Sequence, residues 1–214
     1  MNFNSWFMKK WILVFLINLI FLCGYSQNFG IKSNLLYDAT STINLGVEFA
    51  LSDKLTLDVS ANYNPWAFPQ QKVTASDVVV AQYDAVFKHW MIQPELRWWP
   101  CEKFNGHFFG AHVHGGQMNI GGLTFLPAKW RDRGIQKNRI EGWFAGAGVA
   151  YGYHLIMSNR LSLEFSLGVG FMYLNYDKYA NYTSLRTPRK DTNSYQMYYL
   201  GPTKVGISLI YMIY

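Results

Sequence analysis

The amino-acid sequence predicts an all-β fold, an antiparallel barrel of about eight strands, on three observations. Apolar and polar residues alternate with period two, the alternating segments are mostly about ten residues long, and the connections between them differ regularly in length. Successive side chains of a strand point to opposite faces, so this alternation indicates strands with one apolar and one polar face. Hydrophobic residues make up 50% of the 214 residues and aromatic residues 18%.

The segment before these strands, residues 1–26, has the features of a secretory signal peptide. Two lysines precede an apolar stretch at residues 11–23, and the small residues after it suit cleavage before Gln27. The sequence therefore predicts a signal peptide followed by one barrel domain at residues 27–214. Two alternatives stay open: an uncleaved anchor helix, and Cys23 as a lipoprotein cysteine.

The first half of the chain contains four predicted strands, at 29–38, 42–51, 55–64 and 88–98. The first is the least regular. The third alternates most clearly, with Leu55, Leu57 and Val59 on one face and Thr56, Asp58 and Ser60 on the other. The fourth places its tryptophans, isoleucine and leucine opposite histidine, glutamine, glutamate and arginine.

The second half contains four more predicted strands, at 106–119, 141–156, 161–173 and 203–213. The first of these is irregular, and the second sets bulky residues against a lane of glycines. The third alternates leucine, valine and phenylalanine with serine, glutamate and glycine. A tilted strand of about 9–11 residues is long enough to cross a bilayer core.

The connections alternate between short and long along most of the chain. Residues 52–54, 99–105 and 158–160 are short, whereas 65–87, 120–140 and 174–202 are long. Bacterial outer-membrane barrels have short periplasmic turns and long extracellular loops. Only the first predicted outer loop, residues 39–41, is short.

The distribution of charge and aromatic residues predicts a transmembrane barrel of the outer-membrane type rather than a soluble one. The polar faces carry charges whose burial in a dry core would be energetically costly, and the apolar face continues over nearly every strand. Aromatic residues gather near predicted strand ends, as interfacial girdles require. The predicted girdle residues are Tyr63, Trp66, Trp98, Trp99, Phe108, Trp143, Tyr153, Tyr173 and Tyr211.

The predicted interior is a network of opposite charges. An eight-stranded barrel is just wide enough for its own side chains to fill it. Because an unpaired buried charge is costly, we expect a salt-bridged plug centred on Arg97, with a gated pore for small ions as the alternative. The predicted members are Lys32, Glu48, Asp58, Glu95, Arg97, Glu164 and Lys204.

Few residues are candidates for metal binding or catalysis. His112 and His114 share one face of a strand, but without a third ligand we expect a polar interior pair, and we predict no cofactor. Ser76, Asp84 and His89 lie around the second outer loop, but no spacing ties them into a nucleophile–base pair. The sequence thus predicts no enzyme, although a lipid-modifying role remains the third alternative.

The outer loops carry a cluster of positive charge. Cationic loops would be drawn to the phosphates of lipopolysaccharide, although simple solvation explains them equally well. Outer-membrane lipid and lipopolysaccharide are therefore the expected partners, and nucleic acid is not expected. The basic residues are Lys129, Arg131, Arg133, Lys137, Arg139, Arg186, Arg189 and Lys190.

Four sequence motifs resemble a known family. Ile31–Thr40, Asn44–Glu48, the turn and strand at Leu51–Val59, and Gln93–Trp99 are similar to a Bacteroidota family of outer-membrane proteins, the domain of unknown function 3575 (DUF3575). The resemblance extends over nearly all of the mature chain. It implies a β-barrel in the cell envelope, with surface-fimbria components or other envelope proteins as further partners, and it supplies no catalytic residues.

Overall fold

The computed structural model describes residues 29–67, 71–75, 78–83, 85–121, 138–180 and 190–213. The predicted signal peptide lies outside the described residues. Eight strands form one closed antiparallel ring, which confirms the predicted fold class. They are β1 (Phe29–Asn34), β2 (Ile43–Ala50), β3 (Leu55–Asn64), β6 (Val86–Trp98), β7 (Gly106–Gly121), β8 (Asn138–Ile156), β9 (Leu161–Ala180) and β10 (Lys190–Ile213). The strands β4 (Gln71–Ala75) and β5 (Val78–Tyr83) form a separate hairpin outside the ring.

The ring closes between the first and last strands. Phe29 pairs with Ile213 on β10 and with Phe49 on β2. Following the backbone partners of Phe49 through the other strands leads to Pro202 on β10, well away from Ile213. This stagger means that the strands tilt relative to the barrel axis, as closure of a barrel requires.

The prediction of a first strand at 29–38 is wrong beyond Asn34, where the chain turns into a short helix, α1 (Leu35–Ala39). Asn34 caps this helix, since its side-chain oxygen accepts a hydrogen bond from the Leu36 amide at 3.1 Å. The Asn34 side-chain nitrogen Nδ2 also donates to the Val205 carbonyl at 3.2 Å, and Asn34 Oδ1 accepts from the Ile207 backbone N–H. The Asn34 side chain thus binds the backbone of β10 where β1 ends.

The long outer connections contain more strand than predicted. The connection between β3 and β6 includes a separate hairpin, β4 (Gln71–Ala75) and β5 (Val78–Tyr83). The last two strands extend to Ala180 and begin at Lys190, so the predicted loop 174–202 is largely paired backbone. Tyrosines lie on both faces there, Tyr176 and Tyr199 inward and Tyr198 outward, so period two gives only a weak signal.

The two faces of the barrel wall differ sharply in polarity. Outward side chains are apolar and exposed: Val149 is 61% exposed and Leu167 57%. Inward side chains include charged groups that are fully enclosed, and Arg97 is 0% exposed. This is the reverse of a soluble barrel, whose apolar residues point inward. Among the described residues, no helix is long and apolar enough to span a membrane.

The interior side chains form three groups along the barrel. At the end with the short turns lies the aromatic plug, which consists of Trp99, Phe104, Phe108, Ile210 and Met212. The charged side chains come next: Arg97 and Glu95 lie one and two inward positions before Trp99. Nearer the other end lies the outer apolar cluster, formed by Met118, Ile140 and Leu174.

The prediction that Trp99 and Phe108 belong to an outer aromatic girdle is wrong. Both are fully buried inside the barrel, where their rings lie 4.9 Å apart between centroids. Trp98, the neighbour of Trp99, does face outward. Since adjacent strand residues point to opposite faces, only one residue of this pair can belong to a girdle.

Candidate functional site: a buried ion-pair network

All seven predicted interior charges lie together in one network, hereafter the charge network. Its members come from strands β1, β2, β3, β6, β9 and β10. Each sits at an inward position of its strand, and the closed ring turns these positions toward a common axis. The network consists of Lys32, Glu48, Asp58, Glu95, Arg97, Glu164 and Lys204.

Arg97 is the centre of the network. Its Nη1 lies 2.6 Å from Glu48 Oε2 and 2.7 Å from Glu164 Oε2. Its Nη2 lies 2.9 Å from Asp58 Oδ2, and its Nε lies 2.7 Å from Glu95 Oε1. The planar guanidinium donates hydrogen bonds in several fixed directions at once, so a single arginine binds four carboxylates here.

Two lysines contribute the other positive charges, so three cations face four carboxylates. Lys32 Nζ lies 2.5 Å from Glu48 Oε2, 3.2 Å from Glu164 Oε2 and 3.4 Å from Asp58 Oδ1. Lys204 Nζ lies 2.9 Å from Glu95 Oε2 and 3.7 Å from Asp58 Oδ2. Every carboxylate therefore contacts Arg97 and at least one lysine, which offsets the cost of burying four negative charges.

The aromatic plug supports the charge network from below. The Trp99 indole donates to Thr56 Oγ1 at 2.9 Å, and Thr56 in turn donates to Glu48 Oε1 at 2.5 Å. The Arg97 guanidinium carbon lies 4.4 Å from the centre of the Phe108 ring. The plug thus fixes the positions of Glu48 and Arg97 by hydrogen bonding and by cation–π contact.

Glycines on the inner wall make room for the long charged side chains. A Cβ on Gly110 would lie 2.7 Å from the Glu95 carboxyl carbon, and one on Gly46 would lie 2.6 Å from Lys32 Cγ. The interior around the network is nearly full, with a cavity of about 20 Å³ lined by Lys32, Asp58 and Glu164. That space holds about one water molecule.

The histidine pair lies beside the charge network. His112 Nδ1 is 3.5 Å from Glu95 Oε2, and His112 Nε2 is 3.0 Å from Thr203 Oγ1. The His112 and His114 rings lie 5.7 Å apart, and both histidines are buried. Within the described part of the chain, no group of three or more His, Cys, Asp or Glu side chains could hold a metal ion.

The structure describes only part of the predicted basic outer surface. Arg139, in β8, forms an ion pair with Glu141 at 2.6 Å and lies over the Tyr179 ring. Lys190 is the first residue of β10. The other predicted members lie outside the described residues: Lys129, Arg131, Arg133, Lys137, Arg186 and Arg189.

The sequence reasoning missed the aromatic plug as part of this site, although a signal for it existed. Trp99 follows Arg97 by two residues, and Phe108 precedes His112 by four. Each therefore shares the face of a residue already assigned to the interior. Counting positions from the interior residues identifies both aromatic side chains as inward.

Fold and site together define a class, the eight-stranded antiparallel barrels whose interior is filled by their own charged and aromatic side chains. Within it, the chain belongs to the family described as protein of unknown function (DUF3575), whose model matches residues 11–213. The comparison with curated proteins finds no match.

The solved structures that match in the comparison of folds include the solution structure of outer membrane protein W from E. coli. The identity is 13%, the match covers 87% of this chain and 97% of that chain, and the TM-score is 0.32.

Proposed function

We propose that the protein is a structural or surface-interaction protein of the outer membrane, and that it spans the bilayer as a filled barrel. The observation that carries this proposal is the polarity of the wall, with exposed leucine, valine and phenylalanine outside and seven ion-paired charges inside. Water would not tolerate so large an apolar exterior, whereas acyl chains would. A closed ring also leaves few unpaired backbone groups to face lipid.

The lengths of the connections support one orientation. The turns after β2, β6 and β8 are short, and the connections at the opposite end are longer. In outer-membrane barrels the short turns are periplasmic. The aromatic plug then lies at the periplasmic side, and α1, the β4–β5 hairpin and the outer ends of β8–β10 lie at the cell surface.

The first prediction concerns cellular location and heat-modifiable mobility. The protein will be found in the outer-membrane fraction, with its N-terminus at Gln27, and unboiled samples will migrate differently from boiled ones on a denaturing gel. A closed barrel resists detergent until it is heated, which is the physical reason for the shift. A fully soluble periplasmic protein with unchanged mobility would contradict the proposal.

The alternative of a small channel starts from a cavity of about 370 Å³ at the outer end, lined by Tyr37, His89 and Lys204 among others. This cavity leads toward the charge network, but Arg97, Trp99 and Phe108 fill the section beyond it. We therefore infer that the barrel does not conduct ions.

The second prediction is that purified protein in planar bilayers gives no current, and that Arg97→Ala gives none either because the aromatic plug remains. Steady single-channel conductance from the unmodified protein would favour the channel. A known porin added to the same bilayer serves as the control for reconstitution.

We propose no enzymatic role. Among the loop residues considered for lipid modification, His89 lies in β6 and is half-buried, whereas Ser76 and Asp84 lie outside the described residues. The proposed partners are outer-membrane lipid and lipopolysaccharide, together with other envelope proteins such as surface-fimbria components. The proposal places these contacts at the outer loops and the outer rim of the barrel.

A further inference from the structure

The outer rim of the barrel carries a concave surface with an unusual mixture of side chains. A cavity of about 690 Å³, hereafter the rim cavity, lies at the outer ends of β3, β6, β7, β8 and β9. Tyr63, Trp90 and Trp143 line it together with Lys88, Asn119 and Glu141. Neither the charge network nor the aromatic plug contributes to it.

The register of the strands arranges these residues in two neighbouring rows. The first, aromatic row consists of consecutive backbone partners, Tyr63, Trp90, Gln117 and Trp143. The second, polar row lies two residues further out on each strand and consists of Lys88, Asn119, Glu141 and Asp177. Residues two apart on a strand share a face, and the rows are separated by about 7 Å along the strands.

Hydrogen bonds hold the side chains of both rows in place. The Trp90 indole donates to Gln117 Oε1 at 3.1 Å, and the Asn119 amide donates to Glu141 Oε1 at 2.7 Å. The Trp143 and Tyr173 rings contact each other, with centroids 5.4 Å apart. Asn119 Oδ1 is buried and has no hydrogen-bond partner among the described residues. The surface thus presents oriented rings beside a carboxylate and an amide that are held in fixed positions.

This combination matches the chemistry of a sugar ring. One face of a pyranose consists of C–H groups, which pack on aromatic rings, and its edge carries hydroxyls that both donate and accept hydrogen bonds. Among the described lining residues, Lys88 is outweighed by Glu141 and Asp177, so these residues give the cavity no excess positive charge for a phosphate. The two rows are close enough for a single ring to contact both.

We propose that the rim cavity binds a neutral sugar of the lipopolysaccharide core. The cavity lies just beyond the outward apolar surface that the proposed function places in the bilayer, at the level of the lipopolysaccharide core. This inference rests on that proposed function, since an outer-membrane location brings lipopolysaccharide to the rim.

The test is calorimetric titration of the folded protein, held in non-ionic detergent, with delipidated core oligosaccharide. Binding is expected, and Trp143→Ala should weaken it about tenfold, because an aromatic contact is worth about 1.4 kcal/mol and that energy corresponds to a tenfold change in affinity. Asn119→Ala, which removes the hydrogen bond that positions the Glu141 carboxylate, should also weaken binding. Heat-modifiable mobility verifies that each variant is folded.

Trp98→Ala is the matched control. Trp98 is an outward tryptophan with nearly the same exposure as Trp143, 48% against 46%, but it lies at the end with the short turns. The control variant should bind the oligosaccharide as the unmodified protein does. Equal affinities of all three variants would overturn the proposal.

Two further outcomes would also overturn it. The first is binding of intact lipopolysaccharide without binding of the delipidated oligosaccharide, which would assign recognition to the lipid or its phosphates. The second is absence of oligosaccharide binding by a protein that is heat-modifiable and located in the outer membrane. In that case the sugar site fails while the proposed function stands.

Discussion

At the scale of single residues, Arg97 determines how the interior can hold so much charge. Its guanidinium contacts Glu48, Asp58, Glu95 and Glu164, and no other described side chain contacts all four carboxylates. Lys32 and Lys204 each contact only part of this set. Removing the arginine would leave four buried carboxylates with two lysines, an excess of two negative charges in a space that water scarcely enters.

We therefore predict that Arg97→Met lowers the free energy of unfolding by about 3–5 kcal/mol, the usual cost of removing one partner of a buried ion pair. Urea titration of the folded protein in detergent, followed by the loss of heat-modifiable mobility, measures the change. Arg160→Ala is the control, since Arg160 is exposed in a short turn and its contact is with the Tyr211 hydroxyl. Equal stability of the two variants would contradict the assigned role of Arg97.

Sequence reasoning located the seven charges because each lies at an inward position counted along its strand. It did not determine which carboxylate meets which cation, since that depends on the stagger between strands. Trp98 and Trp99 show the corresponding limit for aromatic residues. Two adjacent tryptophans at a strand end look alike in sequence, although one faces outward and the other closes the interior.

At the scale of elements, the inner glycines of β8 explain how a narrow barrel accommodates large interior side chains. Gly152 lies beneath the Phe108 ring, and a Cβ there would be 2.2 Å from Phe108 Cζ and 2.7 Å from the Phe165 carbonyl oxygen. An added Cβ could not shift away from these contacts, because the backbone lies on one side of it and the packed Phe108 ring on the other. The lane of glycines seen in the sequence thus leaves space for the rings of Phe108, His112 and His114.

We predict that Gly152→Ala destabilises the barrel by about 1–3 kcal/mol through overpacking. Gly115→Ala is the matched control in a neighbouring strand, because its added Cβ would meet only the Phe144 carbonyl oxygen, at an ordinary 3.5 Å. The same urea titration compares the two variants. If Gly115→Ala costs as much as Gly152→Ala, the loss reflects glycine removal in general and not contact with Phe108.

Elements at the outer end were the least predictable from sequence. The helix α1 depends on the Asn34 side chain, which caps α1 and also contacts the β10 backbone far away in sequence. The outer part of β10 has no polar–apolar alternation and is identified only by its pairing with β9. Local patterns identify a strand by the difference between its two faces, so they fail where both faces have a similar environment.

At the scale of the whole molecule, one difference in polarity organises the protein. Apolar side chains cover the outside, and the inside is filled in turn by the aromatic plug, the charge network and the outer apolar cluster. Period-two alternation, strand length and the alternating connection lengths together predicted the antiparallel ring of eight strands, because closure is the arrangement that pairs every strand on both edges. The account depends on the outer surface lying against acyl chains.

Spin labels on the outer wall test that dependence most directly. With Cys101→Ser as background, labels at Val149 and Leu167 in reconstituted liposomes should collide often with oxygen and rarely with a water-soluble nickel complex. A label at Ser158, in a short turn, should show the opposite preference. Nickel accessibility at Leu167 as high as at Ser158 would mean that the apolar wall faces water, and the account would be wrong.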